Sequence, residues 1–258
     1  MNPDGTPLPA GPTFGRIAVV MAMHDEAMPV IDALGAVSTA HHGHHLHDWY
    51  EATLPGRDGP VAVVIAVNAV DPRLGVAGIG PEPATITTLH VVEHWQPDLV
   101  VSAGTAGGWA SKGGAIGTAY LATPVVVRHD RRIDIAGYTE YAIGSYPCTP
   151  LPGLADSLGL VEGVVTTGGS LDENADDRRM IDASGAVAKD MEAASVAQVC
   201  ALHGVPFAAL KVITDLHDHP ASNAEQFEAH LSAAADSLAR HLLDLLAALT
   251  GSPRPPAH

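Results

Sequence analysis

The sequence predicts an α/β fold, a three-layer α/β/α sandwich around a central mixed sheet, formed by a single domain over residues 16–250. Three continuous apolar segments, at 16–22, 98–103 and 206–214, are typical of strands buried on both faces. They alternate with segments of helical periodicity, which favours helices on both faces of a largely parallel or mixed sheet. A hydrophobic content of 47% supplies the core that such a domain needs.

The remaining elements follow from local patterns along the chain. Further strands are predicted at 46–54, 60–67, 115–128 and 164–167, and helices at 25–34, 83–94, 175–182 and 191–203. A long helix is predicted to begin near Ser222, because Glu225 stands three residues later and completes a capping box. Its apolar residues recur at helical spacing until Gly251 and Pro253 end it.

Composition excludes several classes of function. The formal net charge is −16, so we expect no nucleic-acid partner, since phosphate backbones would be repelled. No apolar stretch reaches the roughly 18 residues of a membrane span, and no signal peptide is predicted. Residues 1–15 and 251–258 are rich in proline and glycine and are predicted to be disordered tails. The two cysteines form no disulfide framework, which favours a cytoplasmic location.

Acidic and glycine-rich segments follow the apolar strands, where α/β proteins bind their ligands. Glu26 follows the first strand, residues 104–108 (GTAGG) follow the second, and Asp215 follows the third. Glu192 lies at a predicted helix start, where an acid often serves only as a cap, and the same alternative applies to Glu26. The glycine segment lacks the spacing of a dinucleotide site. Asp215 directly follows an apolar strand, so we expect it to be partly buried with a raised pKa.

Seven motifs together resemble the 5′-methylthioadenosine/S-adenosylhomocysteine nucleosidases of the nucleoside phosphorylase superfamily. They are AMHDEA (22–27), GIG (78–80), AGTAGG (103–108), RHDRRI (128–133), TTGGSLD (166–172), KDMEAASVA (189–197) and KVITDLHD (211–218). KDMEAA, GGSLD and HDRRI look like the plant branch, which favours methylthioadenosine. The resemblance implies a nucleoside phosphorylase-like fold and hydrolysis of the bond between adenine and ribose, and it leaves S-adenosylhomocysteine open as a second substrate.

The resemblance also implies roles for individual residues. Asp215 occupies the position of the general acid that protonates the leaving adenine, Glu26 that of the group that activates water, and Glu192 that of the acceptor for the ribose hydroxyls. Thr214 is expected to orient Asp215. The other residues expected to enclose the base, the ribose and the 5′ group are Met23, Ile79, Thr105, Ala106, Gly107, Leu171, Asp172, Lys189, Asp190 and Met191.

Three departures from bacterial relatives concern the substrate. Leu171 stands where an aromatic residue often stacks on adenine, and Lys211 replaces a common arginine. The region 221–226, which corresponds to a helix that shapes the 5′ pocket, contains no large apolar side chain. These departures leave the 5′ substituent and activity on S-adenosylhomocysteine open.

Three other functions are compatible with the same superfamily. A purine nucleoside phosphorylase needs arginines for phosphate, and the loop after the first strand, which reads MHDE, contains none. A hydrolase of a futalosine-type nucleoside would use the same chemistry with another 5′ group. A non-catalytic nucleoside sensor would be expected to have lost Glu26 or Asp215, and both are present.

No cofactor or metal is expected. The tract His41–His47 lacks an accompanying carboxylate or cysteine arrangement and is interpreted as a solvated loop. The resemblance implies a homodimer, with residues 129–132 (HDRR) near the interface; a surface ion cluster explains these four residues equally well.

Overall fold

A computed structural model describes residues 14–39 and 47–252. Most of the two predicted tails therefore lies outside the described residues, as does the histidine tract except for His47. Within the described part, no helix combines the length and the apolar character required to cross a membrane.

The described chain forms ten strands and seven α-helices. The strands are β1 (Arg16–Met21), β2 (Val37–Ser38), β3 (His47–Leu54), β4 (Val61–Asn68), β5 (Leu99–Gly108), β6 (Ala119–Arg128), β7 (Tyr146–Pro147), β8 (Val161–Thr167), β9 (Ala188–Asp190) and β10 (Phe207–Leu216). The helices are α1 (His24–Leu34), α2 (Pro81–His90), α3 (Thr139–Ile143), α4 (Leu154–Leu158), α5 (Ala175–Ser184), α6 (Ala193–His203) and α7 (Asn223–Thr250).

The strands form one mixed sheet, which confirms the predicted architecture. β1 lies parallel to both β4 and β5, and β5 lies parallel to β10. From β10 the sheet continues through antiparallel β6, then β8 and β9, and β9 pairs antiparallel with β5. Five strands (β5, β10, β6, β8 and β9) therefore close into a ring, a feature that the sequence patterns did not predict.

Helices cover both faces of the sheet, as predicted from strands that are apolar on both faces. In β1, Ile17, Val19 and Met21 pack into a core with α1, α4 and α7. The alternate residues Ala18 and Val20 pack into a second core with α2 and α6. Because successive side chains of one strand enter opposite cores, a continuous apolar sequence was needed to bury both faces.

Four predicted element boundaries are corrected. The glycine segment 104–108 belongs to β5, and Asp215 lies inside β10 instead of following it, because the two strands pair in parallel over Val100–Gly108 and Phe207–Leu216. Helix α6 begins at Ala193 and not at Met191, because residues 188–190 form β9. The predicted helix 83–94 is α2 followed by a π-helical turn at Val91–Trp95.

Candidate active site

A cavity of about 380 Å³ opens at the carboxyl ends of β1, β5, β9 and β10. Its volume lies within the range of about 300–1,000 Å³ that is typical of small-molecule sites. Of the predicted site residues, the wall contains Met23, Glu26, Ile79, Thr105, Ala106, Gly107, Leu171, Lys189, Asp190, Met191, Glu192, Thr214 and Asp215. The structure thus brings together residues that are up to 192 positions apart in the sequence.

Glu26 lies in the first turn of α1 and is only 2% exposed. Its Oε1 accepts hydrogen bonds from the backbone N–H of Thr105 (2.8 Å) and from the Thr105 hydroxyl (2.6 Å). Burial raises the pKa of Glu26, against the lowering effect of these hydrogen bonds and of the Lys211 charge. Since its hydrogen bonds are made to β5, Glu26 faces the cavity and does not act as a cap.

Lys211 and Asp190 form a buried ion pair beneath Glu26. Lys211 Nζ lies 2.9 Å from Asp190 Oδ2 and donates to the Ser102 hydroxyl at 3.2 Å. Asp190 also accepts hydrogen bonds from the Thr167 hydroxyl and the Ala193 N–H. Burial opposes the Lys211 charge, but the nearby carboxylates, with Asp190 first, raise its pKa above the ordinary value. Lys211 therefore stays protonated, and Asp190 balances its charge within a wall rich in acids.

Glu192 lies between β9 and α6, on the cavity side of the helix start. Its side chain makes no capping hydrogen bond to α6, and its Oε1 accepts a hydrogen bond from the Gly80 N–H at 2.7 Å. Burial and the neighbouring Asp190 charge raise the pKa of Glu192 to about 7, while Lys211 opposes the rise. The interpretation of Glu192 as a simple cap is therefore not supported by its contacts.

Asp215 lies in β10 just after a register shift between Ile213 and Asp215. This bulge lets Thr214 and Asp215, although adjacent, both line the cavity. The Thr214 hydroxyl donates to Asp215 Oδ1 at 2.8 Å, the contact expected of a residue that orients the carboxyl group. Oδ2 is buried and accepts no hydrogen bond within the described chain. Burial raises the pKa of Asp215, opposed by Thr214 and by the Lys189 charge, as the sequence predicted.

Lys189 shapes the wall through the loop before α5. Its Nζ donates to the backbone carbonyls of Leu171 (2.6 Å) and Asp172 (3.0 Å). Leu171 thereby reaches the cavity, whereas Asp172 is exposed and is not part of the wall. The structure therefore places Asp172 behind the site, where it contributes a carbonyl to Lys189.

Phe227 was missed by the sequence analysis and lines the cavity from the first turns of α7. The expectation that this helix brings no large apolar side chain to the 5′ pocket is therefore corrected. Phe227 lies one residue beyond the region 221–226, among the apolar residues that recur at helical spacing along α7. Gln226 itself is buried and holds the turn before α7 through hydrogen bonds with Leu216.

Residues 128–132 form a partly buried network beside the site. His129 is buried, with its Nδ1 3.0 Å from the Thr166 hydroxyl, and burial together with the Lys189 charge lowers its pKa to about 4. Arg132 pairs with Asp177 at 2.6 Å, and Asp130 accepts a hydrogen bond from the Gly169 N–H. These contacts connect β6 to the loop that carries Leu171.

Acidic side chains outnumber basic ones in the wall of the cavity. It contains Glu26, Asp190, Glu192 and Asp215 against Lys189 and Lys211, and no arginine lines it within the described chain. No group of three or more histidine, cysteine or acidic side chains in residues 14–39 and 47–252 is arranged to hold a metal ion. The polar groups suit a neutral, hydroxyl-bearing ligand that gains positive charge during a reaction.

The class of protein follows from comparison with known sequences. Residues 16–247 match the family model of the phosphorylase superfamily. A 5′-methylthioadenosine nucleosidase of Arabidopsis thaliana is 33% identical over 231 residues, covering 85% of this chain and 81% of that protein. A 5′-methylthioadenosine/S-adenosylhomocysteine nucleosidase of the same plant is 33% identical over 239 residues, covering 92% and 93%.

A solved structure agrees with the sequence relatives. The apo form of Arabidopsis thaliana 5′-methylthioadenosine nucleosidase superposes with a TM-score of 0.88 at 31% identity, covering 93% of this chain and 98% of that one. The chain belongs to the phosphorylase superfamily and, within it, to the 5′-methylthioadenosine/S-adenosylhomocysteine nucleosidases.

Proposed function

We propose that this protein hydrolyses the N-glycosidic bond of 5′-methylthioadenosine and releases adenine and 5-methylthioribose. One observation carries the proposal: a carboxyl group with a raised pKa, Asp215, shares a cavity with two further carboxyl groups, Glu26 and Glu192. N-glycoside hydrolysis needs an acid for the leaving base, a group that positions water, and acceptors for the ribose hydroxyls. The cavity offers a candidate for each.

Asp215 is the proposed general acid. Adenine leaves readily only when its N7 is protonated, so the donor must retain its proton near neutral pH. Burial raises the pKa of Asp215, which favours the protonated form. Thr214 occupies Oδ1, which leaves Oδ2 for the proton that is transferred.

Glu26 is the proposed site of the attacking water. Its Oε1 is occupied by Thr105, so Oε2 is the oxygen that can accept a hydrogen bond from water. Gly104 leaves the required space, because a Cβ at that position would lie 3.3 Å from Oε2 of Glu26.

Glu192 is proposed to accept hydrogen bonds from the ribose hydroxyls through Oε2, since the Gly80 N–H occupies Oε1. Both carboxyl groups would also stabilise the positive charge that develops on the sugar.

Water is favoured over phosphate as the nucleophile. A phosphorylase binds its anion with arginines, and none occurs in the described wall, where Lys211 is already paired with Asp190. Glu26 would repel a phosphate ion next to it. The same cavity therefore supports hydrolysis and disfavours phosphorolysis.

The decisive experiment measures adenine release from methylthioadenosine with and without inorganic phosphate. We expect the same rate in both cases, with free methylthioribose as the second product. A strict requirement for phosphate, with accumulation of the ribose 1-phosphate, would establish the phosphorylase alternative. Binding without turnover would support the sensor, and turnover of a futalosine-type nucleoside alone would support that hydrolase.

Substrate preference is proposed to favour methylthioadenosine over S-adenosylhomocysteine. Phe227 and Met23 give the wall apolar surface suited to a methylthio group, and Ile79 and Leu171 are the exposed side chains of its rim. We expect a higher kcat/KM for methylthioadenosine when both nucleosides are assayed under one set of conditions. Equal values would show that the wall does not discriminate between the two 5′ groups.

We also propose a cytoplasmic homodimer. Cys148 and Cys200 are both free thiols, which suits a reducing compartment. Leu74, Val76 and Ile79 are exposed apolar residues of the loop before α2, and Ile79 belongs to the cavity rim. A second copy covering this loop would bury these side chains and narrow the entrance to the site.

A further inference from the structure

His217 lies behind the proposed general acid, outside the cavity wall. Its side chain is only 3% exposed, and its ring stacks on Trp109 with centroids 5.2 Å apart. The imidazole Nε2 lies 3.9 Å from Asp215 Oδ2, the carboxyl oxygen that accepts no hydrogen bond within the described chain. Neither the sequence motifs nor the proposed mechanism above assigns a role to this histidine.

Asn223 determines which imidazole nitrogen carries the proton. The side-chain Nδ2 of Asn223, at the start of α7, lies 2.7 Å from His217 Nδ1. With the Asn223 amide in this orientation its NH₂ group can only donate, so the tautomer that it stabilises has Nδ1 as the acceptor and the ring proton on Nε2. The N–H of His217 is therefore on the nitrogen that faces Asp215.

Gly107 keeps the space between the two groups open. A Cβ at position 107 would overlap His217 Nε2 and would lie 3.0 Å from Asp215 Oδ2. Only a residue without a side chain allows the imidazole and the carboxyl group to approach each other at this point of β5.

The surroundings keep the imidazole neutral. Burial is the first cause that lowers the pKa of His217, to about 3, and the charge of Lys189 is the second. The other charged or titratable groups around the His217–Asp215 pair are Glu173, Arg178, Asp218, His129 and His230. A neutral imidazole can donate from Nε2 without giving up its proton, so it serves as a fixed donor and not as an acid.

We propose that His217 is a positioning residue that stabilises the Asp215 carboxylate as Asp215 transfers its Oδ2 proton to the leaving base. The inference rests on the proposed hydrolysis. While Asp215 is protonated, 3.9 Å is too long for a hydrogen bond and little is gained. Once the proton has moved to adenine, Oδ2 is charged and attracts the Nε2–H donor. The interaction therefore strengthens in the transition state, which is the condition for raising kcat.

The test compares His217→Phe with His217→Gln. Phenylalanine keeps the stack on Trp109 but removes the donor, and we expect kcat to fall about tenfold with KM little changed. The alkaline limb of kcat/KM should also move to higher pH, because Asp215 would lose a group that favours its charged form. Glutamine retains an N–H donor and should restore most of kcat and of the pH profile.

A second variant tests the proton position without altering the buried ring. Asn223→Asp places an acceptor beside Nδ1, which draws the ring proton to that nitrogen and turns the Nε2 lone pair toward Asp215. As for His217→Phe, we expect kcat to fall and the alkaline limb of kcat/KM to move to higher pH. Ala224→Asp is the matched control, because it adds the same charge to the same exposed helix turn without facing His217.

The results separate this inference from the proposed function. An unmodified protein that does not release adenine from methylthioadenosine would overturn both. A fully active unmodified protein whose His217→Phe form keeps kcat within twofold and the same alkaline limb would overturn only the role of His217. So would a His217→Gln form as impaired as His217→Phe, since packing and not donation would then be responsible. If His217→Phe does not fold, parental kcat and pH profile in Asn223→Asp would equally overturn it.

Discussion

Replacing Asp215 with asparagine isolates the proton that hydrolysis requires. Asparagine keeps the size of the side chain and can still bond to Thr214, but it cannot act as an acid. We expect kcat to fall by about 10²–10⁴-fold, the usual contribution of general acid catalysis, with binding of a substrate analogue nearly unchanged. Steady-state kinetics and analogue titration give both values. Asp236→Asn, on the exposed side of α7, is the control and should retain parental activity.

A kcat for Asp215→Asn within about threefold of the parent would mean that the leaving base receives its proton from another group. The proposal that Asp215 of β10 is the general acid would then be wrong.

Glu192 should make stability depend on pH in a defined direction. Its pKa is raised from 4.5 to about 7 in the folded chain, so the folded state binds the proton more tightly than the unfolded state. Its contribution to the free energy of unfolding is therefore present below pH 4.5 and is lost as the pH rises through about 7. Glu192→Gln cannot titrate, and we expect its unfolding free energy to fall less over this interval than that of the parent.

Urea unfolding at several pH values measures this difference. The same dependence of the unfolding free energy on pH in both proteins would contradict the prediction. The same variant should raise KM, because an amide is a poorer acceptor than a carboxylate for two ribose hydroxyls.

At the scale of the elements, one lysine, Lys189, holds the conformation of the loop between β8 and α5. Lys189 donates to the carbonyls of Leu171 and Asp172, and this places Leu171 at the cavity. Lys189→Met keeps the apolar stem but removes both hydrogen bonds, so we expect KM to rise about tenfold, equivalent to ~1.4 kcal/mol. Lys112→Met is the control, since Lys112 lies outside the cavity wall. Parental KM in Lys189→Met would show that the loop is held by other contacts.

The local sequence predicted which segments form strands and helices better than it predicted which segments pack or pair with one another. The apolar segment at 16–22 identified β1 because a strand buried on both faces has no polar alternation. The extension of β5 through Gly104–Gly108 was missed, because those glycines have low strand propensity and are held by pairing with β10, over 100 residues away. Asp215 was recognised because it comes directly after an apolar segment and lies in a family motif, whereas the contact between Lys189 and Leu171 depends on how β9 and the loop before α5 pack together.

For the whole molecule, the predicted mixed sheet is confirmed, and its closure into a five-stranded ring was not foreseen. The ring depends on the β5–β10 pairing in addition to the path through β6, β8 and β9. A hydrophobic pattern records that a strand is buried but not which strand lies beside it. Phe227 was missed for a similar reason: a core stripe and a cavity wall both require apolar residues on α7.

The proposed homodimer is tested at this same scale. Leu74→Asp places a charge on an exposed apolar loop, and we expect a shift from dimer to monomer together with a higher KM, because the entrance would lose its cover. Sedimentation velocity at several concentrations measures the assembly. A parent protein that remains monomeric at all concentrations would refute the dimer, and a dimeric Leu74→Asp protein would place the interface elsewhere.

The bulge between Ile213 and Asp215 shifts the alternation of side chains along β10 by one residue. Before it, side chains of β10 alternate between the two cores; after it, two neighbours face one cavity. We expect the deletion of one residue at this point to shift the alternation of the side chains that follow, so that the carboxyl group of Asp215, the proposed general acid, no longer faces the cavity. An insertion or deletion at this point in a related chain would therefore be expected to alter the wall of the cavity.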